Sequence, residues 1–460
     1  MDSSLTPGNA GDTICAVSTP PGRGGLAIIR VSGPKAISAA QALWKGKALT
    51  EAPTHTAHLG RLIAPDGEPI DQAVATLFKA PASFTGEDVV ELSVHGSTYI
   101  QATLVKALCA VGCRLAEPGE FTRRAFENGR LDLAQAEAVA DIIATSSATA
   151  NRLAQSQLDG RFSARINALH DSLLQLASLL ELELDFSEED VTFADRTRLR
   201  ALAADIRDTV ASLARTFEAG DNLRRGIPVA IIGEPNSGKS SLLNTLLGHD
   251  RAIVSDIPGT TRDTIEETTL IGPYTFRFID TAGLRHTDDP IENLGIGRAL
   301  DNIGQARIII WLIPADETSD QTGQIRQLIH TKARHDTTIL TLRSKADLAP
   351  ALPTDTGTIS IKQPETIERL RHRLLDTADS LMPETADGAD IIITNERHRQ
   401  HLQAAGQALD RLITGIDTDL YTDLIAQELR QALHHLSSIT GAITTDTILT
   451  SIFTTFCIGK

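Results

Sequence analysis

Cysteine is scarce in this sequence of 460 residues: Cys15, Cys109, Cys113 and Cys457 are too few to frame a chain of this length with disulfides. Cys109 and Cys113 stand four apart in an apolar, helix-like run and read as buried small hydrophobes rather than metal ligands. Long apolar runs are missing too; none approaches the ~18 residues of a membrane span. The opening Met1-Asp-Ser-Ser-Leu-Thr-Pro-Gly lacks the basic and apolar regions of a secretory signal. These absences point to a soluble, cytoplasmic protein with no membrane partner. Positive charge is also short. A net charge of −16 argues against a broad nucleic-acid-coating surface. Any contact with nucleic acid must come from local basic patches or from a partner protein.

What is present suggests about three domains, with an apolar fraction of 41% sufficient for several cores. Residues 1–125 read as a mixed α/β or β-rich domain, with strand-like runs at 26–32, 71–78 and 88–95. Thr19-Pro-Pro-Gly-Arg-Gly-Gly, Ser83-Phe-Thr-Gly-Glu-Asp and Pro118-Gly-Glu-Phe-Thr-Arg-Arg stand at the ends of such runs. Plain turn chemistry and binding loops are equally open readings of all three. Residues 126–222 turn helical: Ile166, Leu169, Leu173, Leu176, Leu180 and Leu184 form one stripe, and Leu199, Leu202, Ile206, Val210 and Leu213 a second. Between them Asp185, Glu188, Glu189 and Asp190 read as a solvated acidic loop before a metal site. A nucleotide module occupies 223–383, and helical periodicity returns in 384–460. The two helical segments should pack as one domain with the module inserted between them. The terminal Phe456-Cys-Ile-Gly-Lys460 reads as a frayed end or as part of a site.

The module carries the clearest chemistry. Val229 to Ile232 form a short apolar strand, and Gly233, Gly238, Lys239 and Ser240 then fit the phosphate-loop pattern Gly-x-x-x-x-Gly-Lys-Ser/Thr. A helix follows, with Leu242, Leu243, Leu246 and Leu247 inward. Backbone N–H groups of such a loop hold phosphates, Lys239 reaches the β- and γ-oxygens, and the Ser240 hydroxyl ligates Mg²⁺. Asp280-Thr281-Ala282-Gly283, after a strand-like run, can hold the metal through water and sense a γ-phosphate. Gly259-Thr260-Thr261 lies in a switch-like stretch, with Thr261 a second hydroxyl for the metal. Asp347, in Ser344-Lys345-Ala346-Asp347, can accept hydrogen bonds from the guanine N1–H and 2-amino group. Ser344 stands where Asn is usual and loses an amide contact that braces the phosphate loop. Ser360-Ile361-Lys362 replaces the common Ser-Ala-Lys at the base edge. The expected nucleotide set therefore comprises Asn236, Ser237, Gly238, Lys239, Ser240 and Ser241, the switch residues Ser255, Asp256, Ile257, Pro258, Gly259, Thr260 and Thr261, and 280–283. Ser344, Lys345, Asp347, Ser360, Ile361 and Lys362 complete it.

A catalytic Gln is absent, since Leu284 follows Gly283, and no arginine finger is evident. Water must then be oriented from the loop 285–293, and a monovalent cation on Asn236 could meet the charge at the β–γ bridge.

Thr19-Pro-Pro-Gly-Arg-Gly, Phe84-Thr-Gly-Glu-Asp, Leu131-Asp-Leu-Ala-Gln-Ala-Glu-Ala, Gly259-Thr-Thr-Arg-Asp and the terminal Phe-Cys-Ile-Gly-Lys, in this order, resemble the bacterial tRNA modification GTPase family called MnmE or TrmE. The resemblance spans essentially the whole chain. It implies a multidomain α/β plus all-α architecture: an N-terminal α/β folate-binding domain that dimerises, a discontinuous helical bundle, and an inserted Ras-like P-loop GTPase domain. It further implies K⁺ on Asn236, Ser255, Thr260 and the Ile257 backbone, Mg²⁺ on Ser240 and Thr261, and a water-orienting Glu292. Folate contacts map to Arg30, Glu91, Arg130 and Lys460, with Arg130 standing where some members have Lys. Cys457 is implicated in the modification chemistry. The implied cofactors are GTP, Mg²⁺, K⁺ and a tetrahydrofolate in the 5-formyl or methylene form. The implied partners are a second copy of the chain, tRNA, and the flavoprotein MnmG (GidA), which carries FAD and uses NADH. A ribosome-assembly type of GTPase switch shares the nucleotide motifs but gives no reason for the N-terminal signatures or the Cys-Ile-Gly-Lys end.

Overall fold

The computed structural model describes residues 11–185, 196–234, 236–249, 267–279, 303–314, 321–348, 357–382, 391–454 and 456–459. The chain forms two compact units, one of Met1–Ala140, Gln157–His170 and Leu436–Lys460, the other of Asp141–Ser156 and Asp171–His435.

The first unit is built on a seven-stranded sheet. Its strands are β1 (Ile14–Val17), β2 (Leu26–Ser32), β3 (Trp44–Lys45), β4 (Thr56–Ile63), β5 (Pro69–Phe78), β6 (Val89–His95) and β7 (Arg114–Leu115), in the order β3-β4-β5-β6-β2-β1-β7. Pairing is antiparallel except between β1 and β7. Alternation along β5 turns Ala73, Ala75 and Leu77 inward, where helices Ala36–Leu43 and Thr98–Ala110 cover them. The second of these helices stops at Ala110, before Cys113. Gly112, at φ +101°, takes the left-handed position, and the Cys113 N–H bonds back to Leu108 O at 3.1 Å. This is a Schellman ending, so Cys113 leaves the helix that the spacing predicts although it stays buried. A satellite core joins Leu133 and Ala136 to Leu449, Phe453 and Phe456.

The second unit holds a six-stranded sheet of β8 (Ile227–Gly233), β9 (Glu267–Ile271), β10 (Tyr274–Phe278), β11 (Ile308–Pro314), β12 (Thr338–Ser344) and β13 (Thr358–Ile359), in the order β13-β12-β11-β8-β10-β9. Only the β9–β10 pair is antiparallel. Its central strands are apolar on both faces. Ile308, Ile310 and Leu312 pack with helices Lys239–His249 and Pro364–Ser380, while Ile309 and Trp311 pack with helix Gln321–Lys332. Covering both faces of a parallel sheet is what such continuous apolar runs require.

The same unit contains a helix pair from either side of the module in sequence. Helix Arg196–Arg215 turns Leu199, Ala203, Ile206, Val210 and Leu213 inward. Helix Glu396–Asp417 buries Leu402, Ala405, Leu409, Leu412 and Ile416, and starts where Asn395 caps the Arg397 N–H at 2.9 Å. Arg200 meets Asp417 at 2.6 Å and Arg207 meets Asp410 at 3.1 Å, so the two helices run antiparallel. The exposed pairs set register more than stability. The nucleotide module is thus inserted between two helices of one bundle.

Candidate functional site

The phosphate loop leaves β8 through a backbone that glycine and asparagine tolerate best. Asn236 takes φ +63° and Gly238 φ +96°. At Gly233 a Cβ would lie 2.5 Å from Leu312 O and 2.7 Å from Ser237 Oγ, so only glycine fits. Lys239 Nζ donates to Gly233 O at 2.8 Å and to Glu234 O at 2.7 Å, which aims the ammonium across the loop. Burial pushes its pKa down. Lys239 opens the following helix, with Ser240 half-buried and Ser241 exposed in its first turn.

A cavity of about 270 Å³ extends from this loop to the end of β12, lined among others by Ser237, Gly238, Ser344, Lys345, Asp347 and Ser360. Lys345 turns the chain at φ +57° into a single 3₁₀ turn, Ala346–Leu348, that carries Asp347. Lys362 Nζ pairs with one Asp347 oxygen at 2.8 Å, and Ser360 Oγ donates to the other at 2.8 Å. The Lys362 contact first, and the Ser360 hydroxyl second, hold this carboxyl below the usual carboxylate range. Asp347 is therefore an ionised acceptor at neutral pH. Ser360 is fixed in turn by its N–H to Thr366 Oγ1 at 3.0 Å, while Ile361 points outward, 50% exposed. The hydroxyls of Ser237 and Ser344 are both buried and without a hydrogen-bond partner among the described residues. Ser255, Asp256, Ile257, Pro258, Gly259, Thr260, Thr261, Asp280, Thr281, Ala282, Gly283, Leu284, Glu292 and Lys460 lie outside the described residues, as does most of the acidic stretch after Asp185.

In the first unit, Arg30 and Glu91 face each other across β2 and β6. Arg30 Nε and Nη2 both reach Glu91 Oε1, at 2.9 and 2.7 Å. The guanidinium also lies 5.5 Å from the Phe84 ring centre and 5.7 Å from that of Phe121, so two of the polar signatures meet at one arginine. Arg130 packs its stem over Gly86, where a Cβ would lie 3.2 Å from Arg130 Cγ.

Beneath this pair is a network that sequence reasoning missed. Glu87 accepts from Ser32 Oγ at 2.7 Å and from Arg124 Nη1 at 3.1 Å, and Arg124 also donates to Glu120 at 2.9 Å. Burial pushes the Glu120 carboxyl up, but hydrogen bonds from Arg114, the Glu117 N–H and Arg124 hold it below its usual range. The signal was there in the charged centres of the second and third signatures, which turn chemistry alone does not need.

The C-terminal residues are stitched into this unit. Ile458 bridges to Pro118, the Gly119 N–H points at Cys457 O at 3.4 Å, and Ser18 Oγ donates to Gly459 O at 3.0 Å. A Cβ on Gly459 would lie 2.3 Å from Val17 O. Cys457 is exposed beside the third signature. Arg30, Glu91, Arg130 and Cys457 thus belong to one compact unit, and the phosphate loop with Ser344, Lys345, Asp347, Ser360, Ile361 and Lys362 to the other.

Residues 13–130 match a family model described as the GTP-binding protein TrmE N-terminus, and residues 133–457 match one described as the MnmE helical domain. A Bacteroides fragilis protein named tRNA modification GTPase MnmE is 45% identical over 467 residues, covering 98% of this chain and 99% of its own length. Proteins of the same name from Parabacteroides distasonis and Cytophaga hutchinsonii are 46% and 45% identical, covering 97% and 100% of this chain and 100% of their own lengths. The chain belongs to the MnmE (TrmE) family of tRNA modification GTPases.

Proposed function

We propose that this GTPase works with the flavoprotein MnmG (GidA) to add an aminomethyl or carboxymethylaminomethyl group at carbon 5 of the wobble uridine of certain tRNAs. A tetrahydrofolate supplies the methylene carbon, and the flavoprotein carries FAD and uses NADH. The observation that carries this reading is the attachment of the Cys457–Gly459 tail to Ser18, Pro118 and Gly119, beside the segment whose Phe121 ring lies 5.7 Å from the Arg30 guanidinium. A switch that only binds partners needs no such arrangement. Glu91 supplies an acceptor for the N–H groups of a pterin, and Arg30, Arg130 and Lys460 supply charge for its carboxylates.

In the nucleotide module Ser240 and Thr261 hold Mg²⁺, which supplies charge neutralisation at the phosphates. Asn236, Ser255, Thr260 and the Ile257 carbonyl hold K⁺, and Glu292 orients the water. Two nucleotide modules come together to switch hydrolysis on, within a cytoplasmic homodimer joined through the N-terminal domains and bound to two flavoprotein subunits. The corresponding domains are 1–125, 126–222 with 384–460, and 223–383.

Calorimetric titration of the intact chain with 5-formyltetrahydrofolate tests the reading. We expect binding that Lys460→Ala greatly weakens. Absence of binding to the intact chain, or equal binding by the variant, would count decisively against a folate-dependent role.

A further inference from the structure

An acidic chain that acts on RNA needs a local cationic site, and the nucleotide module carries one away from its nucleotide. A cavity of about 610 Å³ beside β12 and β13 is lined by Arg343, Arg369 and Arg373, by Thr358, and by the main chain at Gly357. No Asp or Glu lines it among the described residues. Arg343 stands at an exposed position of β12. Arg369 and Arg373, four apart on helix Pro364–Ser380, share one helical face. The Arg343 and Arg373 guanidiniums have no ion-pair partner among the described residues, whereas the neighbouring Arg371 meets Glu368 at 3.8 Å. Gly357, at φ +62°, has its missing Cβ position 2.7 Å from Thr341 O and 3.4 Å from Arg373 Nη1. A side chain there would clash with the Thr341 carbonyl, while it would only touch the guanidinium. The floor is apolar and buried, formed by Leu342, Ile359 and Leu370.

The Arg343 and Arg373 guanidiniums at one cavity repel each other, and an anion between them reverses that sign. Their planar donor forks suit phosphate oxygens better than isolated ammonium groups would. We propose that this cavity is a docking site for backbone phosphates of the RNA substrate, an inference that rests on the tRNA reading above. The site adjoins the base-reading loop. Ile359 lines both cavities, and Ser360 beside it binds both Asp347 and Thr366, which lines the arginine cavity.

The test is fluorescence anisotropy of labelled tRNA against the full-length chain over a range of KCl concentrations. The double variant Arg343→Gln/Arg373→Gln should bind about tenfold more weakly, with the slope of log affinity against log salt shallower by about 1 to 2. Its GTP affinity and melting temperature should match those of the parent, and Arg343→Lys/Arg373→Lys should keep most of the slope. Undiminished tRNA binding by the double Gln variant would overturn this site while leaving the substrate reading intact. A parent chain that binds no tRNA would overturn both. Inorganic phosphate, titrated by NMR, separates the sources: perturbation of the cavity's arginine signals in the parent but not the variant, with tRNA binding unchanged between them, would reassign the cavity to a free anion.

Discussion

Replacing Ser344 by Asn should tighten GTP binding, and the size of the effect follows from two buried hydroxyls. Ser344 is 5% exposed and Ser237 fully buried; each lines the nucleotide cavity, and neither hydroxyl has a hydrogen-bond partner among the described residues. Ser344 Oγ makes no hydrogen bond to the phosphate loop among the described residues, and an Asn amide would carry a donor and an acceptor further into the same cavity of about 270 Å³. One net buried hydrogen bond contributes about 0.5–1.5 kcal/mol, which is about two- to twelvefold in dissociation constant. The brace acts on loop and base together, so GTP and GDP should tighten alike and their ratio should stay constant. Ser344→Ala removes a hydroxyl that makes no bond among the described residues, and should change affinity less than about twofold. Titration of the three proteins with a fluorescent GTP analogue and with GDP measures all of this. If Ser344→Ala bound GTP tenfold more weakly, or Ser344→Asn bound it no better, the hydroxyl would already be a working ligand and the argument would fail.

Asn236→Ala should abolish the stimulation of GTP turnover by KCl over NaCl while leaving GTP binding nearly unchanged; undiminished stimulation would remove the cation from this loop. Gly459→Ala places a Cβ against Val17 O and should release the tail. Binding of 5-formyltetrahydrofolate should then fall at least tenfold with GTP hydrolysis unaffected, and equal folate binding would refute the tail's role. The pH dependence of stability should include a step from His401. Burial first, then the charges of Arg397 and His435, push its pKa down to about 4, and His435 Nδ1 lies 3.4 Å from its Nδ1. The folded state therefore favours the neutral ring: its contribution is complete above the unfolded pKa of about 6.5 and is lost as pH falls toward about 4. Allowing for a partly exposed ring, we expect about 1–2 kcal/mol over that window. Urea denaturation at several pH values should show a flatter slope for His401→Asn, and an identical slope would exclude His401 as the source.

How much was legible in advance depended on whether the information was local. The Val229–Ile232 run, the loop glycines and the four leucines behind them lie within about twenty residues, and each has its own local cause: β-propensity, left-handed backbone, helical period. They consequently fold as read. The end of helix Thr98–Ala110 was also local, since Gly112 is a recognisable stop, but the apolar period through Cys109 and Cys113 outweighed it. Of the N-terminal sheet only β2, β5 and β6 were legible; the short β1, β3 and β7, strand β4 and the strand order were not. Its order places β2 between β6 and β1, and β7 beside β1, and nothing within a single strand specifies such distant neighbours. The tail is the extreme case: Ser18 and Gly459 are 441 positions apart when they bond. Composition makes Cys457-Ile-Gly-Lys460 a fraying end, and the folded chain explains why glycine stands there: φ is +96° at Gly459, and the Val17 carbonyl lies where its Cβ would go. The phosphate loop could thus be read from its own residues because its path is set by local backbone, with Asn236 and Gly238 at positive φ. A site whose walls come from both ends of the chain becomes readable only when those ends are seen together.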